Sequence, residues 1–206
     1  MKLISQEKIE QVLDWAYDKS LNGVVGLDSA FALAESYMKG HGPRIDQVNS
    51  LIRFQNTKAA TSGFLFGLGG LITLPIALPA NITSVLYVQI RMIAAIAHMG
   101  GLDIKDDRVK TLVYTCLVAN SAMDVAKSVG ITVAGKLATN AIEAIPGKTL
   151  IEINRRIGFR LITKFGETGV INLGKAIPLL GGLIGGSFDA YATNMIGEVA
   201  RDSFIA

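Results

Sequence analysis

The sequence predicts an all-α protein, a bundle of eight or nine helices that includes a proline-broken apolar helical hairpin. Three observations lead there. No stretch sustains the alternation of a half-buried strand, whereas several segments place apolar residues three and four apart. Residues 59–90 contain no charged side chain and are bounded by Lys58 and Arg91. That run is interrupted by Pro75 and Pro79 and softened by Gly63, Gly67, Gly69 and Gly70, so it reads as helical segments joined by a turn.

The elements follow in chain order. Ile9, Val12, Leu13, Ala16 and Tyr17 fall at helical spacing, with Glu10, Asp14 and Lys19 left for the wet side. Asp28 or Ser29 can cap a second helix, and Gly40-His41-Gly42-Pro43 stops it. A third helix starts near Asp46, with Ile45, Val48, Leu51, Ile52 and Phe54 as its apolar positions, and it leads into the uncharged run without a strong breaker. Within that run Ala60 to Leu74 would be only about 22 Å long as a helix, short of a bilayer's roughly 30 Å hydrocarbon core. A hairpin turning at Leu74–Pro79 is therefore preferred over a single kinked span. Phe64, Phe66, Leu71 and Ile76 are its membrane-contact candidates.

Asn81 to Met99 reads as the next helix, closed by Gly100-Gly101. Asp103, Asp106 and Asp107 suit the positive N-terminus of another, whose apolar body from Val109 to Val129 reads as the central helix. A short Ala- and Thr-rich helix follows, flanked by Gly130 and Gly135. Residues 148–165 place Leu150, Ile153, Ile157, Leu161 and Phe165 on one stripe and Arg156, Arg160 and Lys164 on another. Pro178 opens the final segment, which runs to Arg201.

Composition bears on milieu. Half of the 206 residues are apolar, 18% are charged, and the mean hydropathy is +0.41. Soluble domains carry about a quarter charged residues, so bilayer contact is favoured. The length suits one domain, 1–206, with amphipathic helices over 1–45 and a core over 46–206. Met1 to Glu7 lack the apolar stretch of a secretory signal, which points to the cytoplasmic side. A net charge of +3 is too small to imply nucleic acid. Its excess is local: Arg155, Arg156, Arg160 and Lys164 form a candidate surface for anionic lipid. A solvated helix face accounts for them equally. Cys116 is alone, so a disulfide or cysteine metal cluster cannot form within one chain, and a buried, inert thiol is expected.

Candidate chemistry is sparse. Arg91, Asp124 and Asp189 each interrupt an apolar segment, where a charge is costly unless paired. They are expected as buried polar anchors, with Arg91 paired to one of the two acids, or else as a polar site within a membrane-facing bundle. Gly181, Gly185, Asp189, Thr193 and Gly197 fall four apart, as do Gly182, Gly186, Ala190 and Asn194. Such stripes let another helix approach closely, here within the chain in preference to an oligomer, although a homo-oligomer stays open. Gly130–Leu137 lacks the Ser/Thr of a phosphate-binding loop, and Gly147-Lys148-Thr149 has Ile142 where the loop's first glycine belongs. His41 and His98 have no neighbouring ligands to make a zinc site, and Gly186-Ser187-Phe188-Asp189 is not a nucleophile elbow. No catalytic residue, metal or cofactor is assigned.

Thr57–Phe64, Gly69–Pro75, Leu86–Ala97 and Ile177–Ala190 together resemble the bacterial EcsC protein family. The resemblance runs from the third helix to the C-terminus. It implies a helical, membrane-associated bacterial protein at the inner membrane, peripheral or partly inserted, whose partners are membrane lipids or a membrane protein. Some relatives are encoded beside an ABC exporter, which suggests a link to transport or secretion. It carries over no catalytic residue, and Arg91 and Asp189, which lie in the matching motifs, are implied as structural anchors. The leading expectation is a binding protein that docks on the membrane. A pore-forming effector and a soluble lipid-binding protein or hydrolase are the alternatives.

Overall fold

The computed structural model describes residues 5–24, 26–60, 80–118, 145–165 and 183–205, leaving aside the side chains of 58–60, 80–82, 163–165 and 183–189. Among the described residues there are seven helices and no strand, against the eight or nine helices expected: α1 (Gln6–Asn22), α2 (Ala30–Met38), α3 (Arg44–Ala60), α4 (Ala80–Met99), α5 (Asp107–Cys116), α6 (Gly147–Phe165) and α7 (Leu183–Phe204). The hairpin turn at Leu74–Pro79 and the short helix beside Gly130 and Gly135 lie outside the described residues.

Local chemistry sets the helix ends. Ser5 caps α1 by accepting from the Lys8 N–H, and Gly23, at φ 77°, closes it with its own N–H on the Lys19 carbonyl. Val24 and Leu27 then exchange backbone hydrogen bonds of 3.0 and 2.9 Å, which folds the link back towards α2. Ser29 caps α2 through a 3.1 Å bond from the Ala32 N–H. At the end of α4 the Leu102 N–H reaches the Ala97 carbonyl and the Gly101 N–H reaches that of His98. This is a Schellman closure, and it needs a left-handed residue at Gly101, where φ is 87°. Asp106 caps α5 with a 2.7 Å bond from the Arg108 N–H.

The centre of the molecule is α4, not the helix beginning at Asp107. Every residue from Leu86 to Ala97 is buried, because α1, α2, α3, α5 and α7 all pack around it. A helix apolar on all sides fits only such a position. The end of the uncharged run, from Leu86 to Ile90, is thus sheltered by the protein's own helices. The helix that was to reach Val129 stops at Cys116, where the Leu117 and Val118 N–H groups tighten onto the Tyr114 and Thr115 carbonyls. On α3 the buried stripe is Val48, Leu51, Ile52 and Gln55, while Ile45 and Phe54 are exposed. Among the described residues no helix is long and apolar enough to cross a membrane.

Close contacts fix α7. A Cβ on Gly197 would lie 2.9 Å from the Ile52 side chain, so this glycine lets α7 approach α3. The Asn56 amide donates to Asn194 (2.7 Å), Gln89 to Thr193 (3.2 Å) and Arg201 to Asn49 (2.8 Å). At the far end a Cβ on Gly100 would collide with the Phe204 carbonyl oxygen. Between α1 and α5, the Tyr17 hydroxyl donates to the Ile104 carbonyl at 2.8 Å, and Asp14 takes both Lys110 (2.9 Å) and the Tyr114 hydroxyl (3.1 Å).

Two predictions follow from this packing. Gly100→Ala meets backbone rather than a pliable side chain, so urea unfolding is expected to show a loss of about 1–3 kcal/mol, with the fold retained. Burial raises the Cys116 thiol from 9.0 to about 12, with Ser203 pulling the other way, and burial also raises the Tyr17 and Tyr114 phenols. Folding favours the neutral forms, so their contribution is complete below the unfolded pKa values and fades as pH rises through the elevated ones. Thermal unfolding between about pH 9 and 12 is expected to show a falling midpoint, and a flat profile would contradict this assignment.

Candidate functional site

Two features combine exposed or unmet chemistry. The first surrounds Arg91, midway along α4 and only 2% exposed. Its Nη1 donates to the Asp28 backbone carbonyl at 3.0 Å and its Nη2 to the Gln55 Oε1 at 3.3 Å. Asp28 reaches it because the Val24–Leu27 turn brings the α1–α2 link over α4. Gln55 reaches it because it continues the inward stripe of α3. Burial lowers the Arg91 pKa, while Tyr87, Asp28 and Tyr37 raise it. A guanidinium starts so high that it stays charged at neutral pH.

No carboxylate lies within ion-pair distance of Arg91 among the described residues. Among the described residues, Arg91 Nε, Gln55 Nε2 and the Tyr87 hydroxyl are buried without a hydrogen-bond partner. A cavity of about 260 Å³ opens beside Arg91, lined by Leu27, Asp28, Leu33, Tyr37, Phe54 and Arg91 among others.

The second feature is the outer face of α6. Ile153, Ile157 and Leu161 turn inward against α1 and α5. Ile151 and Phe159 point the other way, 71% and 64% exposed, with Arg155 between them at the four-residue spacing of one helical stripe. Lys148 continues the same face, and Arg156 pairs with Glu152 one turn away. A groove of about 360 Å³ separates this helix from α1. Its acids already have partners, Glu10 with Gln6 and Asp14 with Lys110 and Tyr114.

The remaining sequence-derived candidates divide as follows. Phe64, Phe66, Leu71, Ile76, Asp124, Gly181 and Gly182 lie outside the described residues, as do the side chains of Lys164 and Asp189. Gly185 and Gly186 fall in the first turn of α7. Of the described members of the two small-residue stripes, Thr193, Gly197 and Asn194 meet α3 and α4 within the chain. Arg155 and Arg156 are exposed and Arg160 half-buried on α6. The side chains of the two acids expected beside Arg91, Asp124 and Asp189, lie outside the described residues, and the described partners of Arg91 are a backbone carbonyl and a glutamine. Ile151 and Phe159 were not singled out by sequence reasoning, although their eight-residue separation off the inward stripe is a readable signal. Among the described residues no group of three or more His, Cys, Asp or Glu side chains is placed to hold a metal.

A family model described as the EcsC protein family matches residues 7–205. No curated protein and no solved structure matches the chain.

Gln55 provides the one side-chain acceptor of Arg91 among the described residues. Gln55→Leu keeps similar bulk and deletes a hydrogen bond to a charged group, so a loss of about 1.5–3 kcal/mol is expected by chemical denaturation. A neutral result would show that the contact carries little.

Proposed function

The chain belongs to the EcsC protein family, and from that premise we propose that it acts by binding, docking on an anionic membrane surface through the outer face of α6. The observation that supports this reading is the stripe in which Ile151 and Phe159, both largely exposed, flank Arg155. Isolated exposed apolar residues are ordinary on a soluble surface, but two large ones interleaved with cations on one helix suit the headgroup boundary.

Magnitudes decide how much each part must do. With Arg156 paired to Glu152, Lys148 and Arg155 put two positive charges on this face. At about 1 kcal/mol per cation, charge alone supplies roughly 2 kcal/mol, weaker than a millimolar affinity. Burying Ile151 and Phe159 adds about 1.5–3 kcal/mol each, which moves the total towards the micromolar range. Neither contribution suffices alone. The partner on this reading is lipid of the cytoplasmic leaflet, with Phe64, Phe66, Leu71 and Ile76 as further apolar contacts and a role beside transport or secretion machinery.

Flotation with phosphatidylcholine vesicles, alone or mixed with phosphatidylglycerol, tests the proposal. Binding is expected only with the anionic lipid and is expected to weaken as salt screens the cations. The double variant Ile151→Asp, Phe159→Asp should bind at least tenfold less while keeping its helical circular dichroism. A variant that floats as well as the parent protein would refute the α6 docking surface.

A further inference from the structure

We infer that the cavity beside Arg91 binds a small oxyanion group, a phosphate or a carboxylate, as the ion-pair partner that the guanidinium lacks among the described residues. The cost of burying an unpaired charge is the starting point: a cation removed from water demands a compensating anion or a dense set of acceptors. Arg91 has two acceptors, a backbone carbonyl and an amide oxygen, and neither carries charge.

The neighbouring orphan groups point the same way. Arg91 Nε and Gln55 Nε2 can only donate, and the Tyr87 hydroxyl can donate as well. Of these three, Arg91 itself lines the cavity, and its unmet Nε–H is complementary there to an oxygen atom carrying negative charge. Guanidinium binds carboxylate and phosphate in the same forked geometry, so the chemistry shared by both is what the site recognises.

The cavity's size and lining narrow the ligand. At about 260 Å³ it falls just below the range of about 300–1,000 Å³ usual for drug-sized molecules, so it suits a single anionic group with a small attachment. Tyr37 and Phe54 border it, and Phe54 is 48% exposed, which gives an apolar lip for whatever the anion is attached to. Asp28 also borders it and is exposed. Its carboxylate is the one acid among the described lining residues and opposes an incoming anion, which makes it a handle on the site.

The site is built by α2, α3, α4 and the α1–α2 link, whereas the docking face is on α6, so the two can fail separately. Titration calorimetry of the full chain in solution, without vesicles, would use inorganic phosphate and acetate at constant ionic strength set with chloride. Dihexanoyl phosphatidate, a soluble lipid, would form a second arm. Saturable binding of phosphate or acetate is expected, with or without tighter binding of the lipid. Asp28→Asn, which keeps the backbone carbonyl that Arg91 uses, should tighten the simple anion severalfold, and Tyr37→Phe should weaken it. Arg91→Met should abolish it if that variant folds, and the two rim variants decide the matter if it does not. Binding of the lipid alone would mean that acyl chains and not the anion fill the cavity, which overturns the inference. So would no binding of either anion, or an affinity indifferent to Asp28→Asn.

Discussion

The architecture depends on placing one helix where every side of it is covered. From Leu86 to Ala97 α4 offers no face to water, and five helices close around it. That enclosure is favourable for Ile90, Met92, Ile93 and Ile96, each of which loses its apolar surface to the interior. It is unfavourable for Arg91, carried into the same interior by its position in the helix. The turn at Val24–Leu27 and the inward Gln55 are arranged around this conflict, and they relieve it only in part.

Much of this was legible beforehand, and the reasons differ by residue. Ser5, Ser29 and Asp106 act through hydrogen bonds to backbone two or three residues away, so sequence spacing is enough to suggest where helices begin. The inward stripe of α6 could be read for the same reason, since its period is a property of the helix itself. That Arg91 would be buried followed from its apolar neighbours. Its partners did not follow, because a carbonyl at Asp28 is available to any residue type and leaves no mark in the sequence. The end of α5 was equally silent: Leu117 and Val118 contain no breaker, and the turn there is made by tightened backbone bonds.

Family membership and geometry address different questions. The match over residues 7–205 gives kinship to nearly the whole described chain. The geometry separates a core that must hold a cation from a peripheral helix that carries exposed Ile151 and Phe159. Because, among the described helices, α6 rests chiefly on α1 and α5, what happens on its outer face need not disturb α4. A binding protein with one contact surface and one internal anion site would use these two regions for separate tasks.

The meeting of Gly100 with the Phe204 carbonyl works as an axial ruler. With only a hydrogen's width between the last turn of α7 and the end of α4, the two helices are held in register along their length, as Gly197 against Ile52 already sets the spacing of α7 to α3. Adding or deleting a single residue inside either helix would swing its contacts by about 100° and slide it 1.5 Å, so that Gly100 and Phe204 no longer met. Changes of length are therefore confined to the connecting segments, and the rods themselves must keep their measure.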